Sequence, residues 1–222
     1  MNNVLVMAVH PDDETFGCGG TLLKHKAEGD KTHWLICTDM DPVDGYTQDL
    51  IASREETIAA VASAYGFDSV NRLGLATTRV DTYPIRDVLS KISEVMSAVR
   101  PSIIYLPFKE DPHSDHRLLF SAAYACTKSF RYPFVRRLLM METLSETEFA
   151  PGMEGSGFTP NSFSDITQYF EKKLEILSIY KSETGDHPFP RSIENVKALA
   201  TLRGATAGAA YAEAFMIVKE IW

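Results

Sequence analysis

The chain has 222 residues, of which 45% are hydrophobic and 23% charged, an ordinary composition for a soluble globular protein that excludes intrinsic disorder. It carries 22 Lys and Arg against 30 Asp and Glu, a formal net charge of −8. We expect no binding to nucleic acid or anionic lipid, because both are bound through clustered basic side chains.

Along the chain, short apolar runs alternate with segments of helical periodicity. The apolar runs predict strands over 4–9, 34–37, 69–73, 103–107 and 211–221. The periodic segments predict helices over 15–28, 48–65, 85–99, 116–127, 171–180 and 192–207. This alternation predicts an α/β fold with a parallel sheet and right-handed crossovers, formed by residues 1–222 as a single domain.

One segment, residues 143–165, interrupts this pattern. It is rich in Gly, Pro, Ser and Thr and shows little periodicity. A long irregular segment within a compact domain is usually functional or disordered. We therefore predict a mobile loop over 143–165 that covers the site.

The cellular location is predicted from the cysteines and the apolar runs. Cys18, Cys37 and Cys126 are far apart and odd in number, which indicates reduced thiols. The first apolar run is short and no basic residue precedes it, so no signal peptide is expected. No run approaches the roughly 18 apolar residues of a membrane span. These features predict a cytoplasmic protein.

A histidine and three carboxylates follow the first predicted strand, in His10-Pro11-Asp12-Asp13-Glu14. A turn shaped by Pro11, with acids at the start of the next helix, would explain the carboxylates but not His10. His10 and Asp13 offer a nitrogen and an oxygen that suit a metal ion. Asp12 is then free to face a water molecule.

A second motif, His113-Ser114-Asp115-His116, follows the strand predicted over 103–107. Its spacing places both imidazoles on one side of a helical turn, although an ordinary capped helix start has a similar sequence. Ligands of parallel sheets bind beyond the carboxyl ends of the strands, so the two motifs predict one site. His10, Asp13 and one of His113 or His116 would provide three ligands and leave a fourth position for water, as in catalytic zinc sites.

The two motifs together resemble the PIG-L/LmbE-like family of zinc-dependent de-N-acetylases. The resemblance continues in family order over nearly the whole chain, through Arg54-Glu55-Glu56, Phe158 to Phe163 with Asp165-Ile166, Tyr180-Lys181-Ser182, and Tyr211 to Phe215. One departure is Glu183, where relatives often carry Gln. We expect this difference to alter a local contact and nothing central.

The resemblance implies a Rossmann-like, mostly parallel sheet sandwiched by helices. It implies Zn²⁺, or another divalent ion, held by His10, Asp13 and His116. It also implies that Asp12 is the general base and that His113 assists the tetrahedral intermediate.

The relatives further suggest the substrate and the assembly. They imply an acetamido sugar, free or linked to a lipid, thiol or nucleotide, which is hydrolysed to acetate and a free amine. Arg54 is expected near this small-molecule substrate, Asp115 is expected to orient a neighbouring imidazole, and a homo-oligomer is expected.

Two alternatives compete with this interpretation. Two histidines and one carboxylate also bind Fe(II) in oxygenases, although hydrolysis needs the second aspartate at this motif and oxygenation does not. A non-catalytic sugar-binding domain is the other alternative, although all the proposed ligands and the base are present in the sequence.

Overall fold

A computed structural model describes residues 1–152 and 155–222, and this part of the chain contains seven strands and six α-helices. The strands are β1 (Asn3–Ala8), β2 (Lys31–Asp39), β3 (Ser69–Ala76), β4 (Ile103–Leu106), β5 (Arg137–Met141), β6 (Ser162–Asp165) and β7 (Ala212–Glu220). The helices are α1 (Asp13–Ala27), α2 (Gln48–Tyr65), α3 (Ile85–Val99), α4 (Ser114–Ala125), α5 (Phe170–Leu177) and α6 (Ile193–Ala207).

All of the described strands belong to one sheet, in the order β3-β2-β1-β4-β5-β7-β6. The first five are parallel, and β7 is antiparallel to both β5 and β6. The predicted α/β fold with a mostly parallel sheet is therefore confirmed. The chain moves outward from β1 to β3 and then returns to the other side of β1, so the order reverses between β1 and β4. Such a reversal is where α/β sheets form their ligand crevice.

Strand β1 lies at the centre of the core. Val4, Val6 and Ala8 pack into the hydrophobic cluster on one face of the sheet, and Leu5 and Met7 pack into the cluster on the other. Full burial of an aliphatic side chain stabilises a fold by about 1.5–3 kcal/mol, so this short strand contributes strongly. Burial on both faces explains why its sequence is a continuous apolar run.

Glycines allow helix α1 to pack closely against strand β5 and against the residue that follows β6. A Cβ atom on Gly17 would lie 2.6 Å from the sulfur of Met141, and one on Gly20 would lie 2.7 Å from the side chain of Ile166. Neither position has room for a larger residue. The close approach places the start of α1, with Asp13 in its first turn, beside the carboxyl ends of the central strands.

Two strands are missing from the sequence prediction. Strand β5 has the sequence RLLMM, and its Leu and Met residues do not strongly favour a strand. It is stabilised by pairing with β4 on one side and β7 on the other. Strand β6 lies inside the segment predicted as an irregular loop and pairs with β7 at the sheet edge. Met153 and Glu154 of that segment lie outside the described residues. The mobility of 143–165 stays a prediction.

Among the described helices, none combines the length and apolar character needed to cross a bilayer.

Candidate active site

The two histidine motifs meet in a cleft of about 250 Å³ beyond the carboxyl ends of β1 and β4. The motif that starts at His10 leaves β1 and enters α1, while His113 caps the start of α4. The cleft is lined by His10, Pro11, Asp12, Thr38, Asp39, Met40, Tyr46, Ile51, Arg54, Glu55, Thr77, His113, Glu146, Glu183 and Arg191. The structure thus brings together two sequence motifs that lie about a hundred residues apart.

His10, Asp13 and His116 each place one ligand atom within 4.8 Å of the other two. Asp13 Oδ2 lies 3.5 Å from His116 Nε2, which is too far for a good hydrogen bond but suits two ligands of one ion. The ring Nε2 atoms of His10 and His116 are buried and have no hydrogen-bond partner in the described part of the chain. Two nitrogens and one carboxylate oxygen form a donor set that fits zinc or a similar divalent ion.

Neighbouring groups hold two of these candidate ligands, Asp13 and His116. The backbone N–H of His10 donates to Asp13 Oδ2 at 2.9 Å. Nδ1 of His116 lies 2.8 Å from Oδ2 of the buried Asp111, and Thr147 donates to the other oxygen of Asp111 at 2.9 Å. A carboxylate behind a ligating histidine fixes its ring orientation and tautomer, so Asp111 leaves His116 Nε2 available to a metal ion.

Electrostatics in this group favour a bound cation. Burial disfavours the charged form of Asp13, but His116 and His10 hold the pKa of Asp13 below its ordinary value. Burial likewise disfavours a charged His116, yet Asp13 and Asp111 raise the pKa of His116 to about 9. The positive charge of a protonated His116 therefore offsets the negative charges of Asp13 and Asp111. A bound metal ion would take the place of this proton.

A second group of potential ligands, His10, His113 and Asp115, overlaps with the first. The backbone N–H of Asp115 donates to His113 Nδ1 at 3.2 Å. The Asp115 carboxylate accepts from the backbone N–H of Thr78 at 2.7 Å and lies 3.7 Å from His10 Nε2, beyond hydrogen-bond distance. The pKa of His113 is lowered to about 4, mainly because the ring is buried and also because positive charge on His10 and His116 would repel its proton. His113 is therefore neutral near pH 7, with its proton on Nε2.

Asp12 lies on the floor of the cleft and is only 3% exposed. Its Oδ2 accepts a hydrogen bond from Arg191 at 2.7 Å, while Oδ1 has no hydrogen-bond partner among the described residues. Burial and the adjacent Asp13 raise the pKa of Asp12 to about 7, although Arg191 opposes this. A carboxyl group with such a pKa can accept and return a proton near neutrality.

Arg54, predicted near the substrate, lines the cleft and donates to the Pro11 carbonyl at 3.1 Å. Its other terminal nitrogen donates to Glu183 at 2.6 Å, and the second oxygen of Glu183 accepts from Arg191 at 3.3 Å. Glu183 therefore links Arg54 to the arginine that holds Asp12. Glu183, expected from the sequence to alter a local contact only, lies in the wall of the cleft.

Sequence reasoning misses Asp111, Glu146 and Arg191. Asp111 lies two residues before His113, so its place beside a histidine motif is the signal that could have identified it. Glu146 belongs to the segment predicted as a loop. Arg191 comes from the connection between α5 and α6, 179 residues after Asp12, and nothing in its local sequence indicates this contact.

The sequence matches the PIG-L family, described as GlcNAc-PI de-N-acetylase, over residues 5–127, which is more than half of the chain. The chain belongs to the PIG-L family. The matched region includes both histidine motifs, the whole of α1, β4 and α4, and β1 from Leu5 onward. The resemblance seen in the sequence is thus confirmed.

Relatives extend the similarity to the whole chain. Diacetylchitobiose deacetylase from Thermococcus kodakarensis is 25% identical over 233 residues, covering 100% of this chain and 85% of that protein. A conserved protein from Thermus thermophilus has a similar structure, with a TM-score of 0.78, 25% identity, and coverage of 100% of this chain and 97% of that chain. The family and the named relative support a deacetylase, which is a hydrolase.

The same fold also supports a different reaction. GalB, a 4-carboxy-2-hydroxymuconate hydratase from Pseudomonas putida KT2440, has a TM-score of 0.76 and 18% identity, covering 100% of this chain and 98% of that chain. At this identity the likeness concerns the fold alone. The fold therefore does not determine the reaction, which depends on the side chains of the cleft.

Proposed function

We propose that this protein is a zinc-dependent N-deacetylase that hydrolyses an acetamido sugar to acetate and a free amine. The observation that carries the proposal is the convergence of His10, Asp13 and His116 beside the buried carboxyl group of Asp12. The family and its named deacetylase support the same activity.

His10, Asp13 and His116 would hold the ion. A divalent ion at this position supplies Lewis acidity, which polarises an acyl carbonyl and lowers the pKa of water. The remaining chemistry is assigned to the side chains around it. Two nitrogens and one carboxylate oxygen suit zinc, and the same donors also suit Fe(II) and other divalent ions.

Asp12 is the proposed general base. Its unpaired Oδ1 lies in the cleft, while Arg191 fixes the other oxygen. As water adds to the acetyl carbonyl carbon, Asp12 takes the proton that the water loses. The C–N bond then breaks, and the amine nitrogen must receive a proton because an amide anion is a poor leaving group.

His113 is the proposed hydrogen-bond donor to the oxyanion. Its Nδ1 accepts the backbone N–H of Asp115, so the neutral ring presents an N–H at Nε2. A fixed donor aimed at a developing negative charge typically contributes about 10²–10³ in rate. A neutral imidazole would become an imidazolate if it gave up this proton, so we assign protonation of the departing amine to Asp12.

A substrate panel tests the proposal. Purified protein is depleted of metal, reloaded with Zn²⁺, and incubated without oxygen with a set of N-acetylated amino sugars. We expect equal amounts of acetate and primary amine from at least one substrate, and no release by the metal-free protein. Activity that requires oxygen would favour the Fe(II) oxygenase, while sugar binding without acetate release would favour the non-catalytic domain.

We also propose that the protein acts in the cytoplasm as a homo-oligomer on a small-molecule substrate. Its three cysteines are free and buried, as expected for a reducing compartment. Cell fractionation and light scattering coupled to size-exclusion chromatography test the two parts. Recovery of the protein outside the cytoplasm, or a monomer at micromolar concentration, would contradict them.

A further inference from the structure

The charged side chains that line the cleft are mainly acidic. Among the described lining residues are five carboxyl groups and two guanidinium groups. The carboxyl groups are those of Asp12, Asp39, Glu55, Glu146 and Glu183, and the guanidinium groups are those of Arg54 and Arg191. The charge around a cleft selects ligands, so this lining bears on which acetamido sugar can bind.

Both lining arginines are already paired within the protein. Arg54 donates to Glu183 at 2.6 Å, and the side chains are only 16% and 21% exposed. Arg191 donates to Asp12 at 2.7 Å and to Glu183 at 3.3 Å, and it also binds the Ser145 hydroxyl at 2.6 Å. An anionic ligand could use either guanidinium only by displacing a carboxylate that already holds it.

A third arginine beside the cleft is paired in the same way. Arg72 makes a bidentate contact with Glu55, with both N–O distances at 2.7 Å, and lies 3.3 Å from Asp39. Two carboxylates of the cleft wall thus share one cation. The Glu55 side chain is 49% exposed, so it presents its charge to solvent at the cleft wall.

We propose that the cleft selects acetamido sugars whose remaining groups are neutral or carry an amine, and rejects those that bear a phosphate or carboxylate. This inference rests on the proposed function, and it concerns the part of the substrate that extends beyond the buried Asp12. Sugar hydroxyls and amines can donate hydrogen bonds to the wall carboxylates. A phosphate or carboxylate of the substrate would be repelled by these carboxylates, and the guanidinium groups of Arg54, Arg72 and Arg191 are already paired with Glu183, Asp12, Glu55 and Asp39.

Three glycosides of N-acetylglucosamine test the selection. They carry a methyl group, a 1-phosphate, or a glucosaminyl group with a free amine, and kcat/KM for acetate release by the zinc-loaded enzyme is measured at low and high ionic strength. We expect the phosphate to react about tenfold or more slowly than the methyl glycoside at low salt. Salt should raise the value for the phosphate and leave that for the methyl glycoside unchanged.

A matched pair of variants separates the cleft from the charge of the whole protein. Glu55→Gln removes a cleft carboxylate and leaves Arg72 paired with Asp39 alone, whereas Glu56→Gln removes the same charge from an exposed neighbour outside the cleft lining. We expect Glu55→Gln to raise the ratio of phosphate to methyl glycoside turnover by about threefold to tenfold. Glu56→Gln should leave this ratio unchanged.

Equal or faster turnover of the phosphate at low salt would overturn the inference while leaving the deacetylase proposal intact. The same holds if the two glutamine variants shift the ratio equally, because the preference would then reflect only net charge. If none of the three glycosides releases acetate, the result would instead contradict the proposed function and, with it, the inference about selection.

Discussion

Two buried ionic clusters of this protein differ in how completely they are satisfied. The first joins Lys173 of α5 to Glu213 of β7, with an N–O distance of 2.7 Å. Glu213 also accepts the backbone N–H groups of Gly20 and Thr21 and the Thr21 hydroxyl, and Lys173 also donates to the Phe16 carbonyl. Every charged atom of this cluster has a partner.

The second cluster, in the cleft, contains buried polar atoms that lack hydrogen-bond partners. His10 Nε2, His116 Nε2 and Asp12 Oδ1 have no hydrogen-bond partner in the portion of the chain that is described. Unpaired buried polar atoms are costly, and proteins keep them where a ligand or reaction uses them. The comparison therefore supports a stabilising role for the first cluster and the functional role proposed for the second.

Substitution of Asp12 should give the largest effect on activity. We expect Asp12→Asn to lower kcat by about 10²–10⁴, because the general base is lost. The melting temperature should change little, since an amide can still fill the site beside Arg191. Acetate release and thermal unfolding of the same preparation check this, and full turnover by the variant would remove the assignment of the base.

Substitution of Lys173 should have the opposite pattern. Lys173→Met leaves Glu213 buried without its cation and should lower the free energy of unfolding by about 3–5 kcal/mol. The matched control is Lys172→Met, because Lys172 is 53% exposed and forms its ion pair with another exposed side chain, Glu175. Denaturant unfolding measures both variants, and equal effects would contradict a structural role for the buried pair.

Substitution of Asp111 should act on the cleft through His116. Asp111→Asn weakens the contact that orients the imidazole and should reduce metal affinity about 10–100-fold. Glu110→Gln removes a neighbouring charge that is paired with the exposed Lys109, and it serves as the control. Competition with a metal indicator gives both affinities. An unchanged affinity for Asp111→Asn would mean that His116 is oriented without this carboxylate.

Substitution of Asp30 should give the smallest effect, confined to acid pH. Burial opposes its charge, but hydrogen bonds from Asn2 and His25 hold the pKa of Asp30 below its ordinary value. The unfolded chain then binds this proton at higher pH than the folded protein, so the stabilisation is present above pH ~4 and is lost as pH falls.

Asp30→Asn should therefore be less stable than the wild type near neutrality, with the difference shrinking below pH ~4. Unfolding curves from acid to neutral pH measure this difference, and a constant difference over that range would contradict the account.

Although Asp30, His25 and Glu28 could also hold an ion, Asp30 and His25 already have partners. The metal content of Asp30→Asn should thus equal that of the wild type.

The sequence predicts those parts of the fold and site that local patterns determine. The predicted helices over 48–65 and 85–99 match α2 and α3, and α2 has both a Thr47 cap at its start and Gly66 at its end. His10 and His116 could be placed together because parallel strands bring their carboxyl ends to one edge of the sheet.

Contacts made between distant segments could not be predicted in this way. Arg191 reaches Asp12 from a loop 179 residues later. Glu183 belongs to the cleft because it binds Arg191 and also Arg54, which comes from the distant helix α2. Strands β5 and β6 are likewise stabilised by their neighbours in the sheet rather than by their own sequences. Tertiary packing decides each of these features.

The metal content of a small set of variants tests the central claim most directly. The claim assigns one divalent ion to His10, Asp13 and His116 rather than to His10, His113 and Asp115. After loading with Zn²⁺ and desalting, we predict about one ion per chain in the wild type, His113→Ala and Asp115→Asn, and almost none in Asp13→Asn and His116→Ala. A full equivalent of zinc in His116→Ala, or its loss in His113→Ala, would contradict the claim.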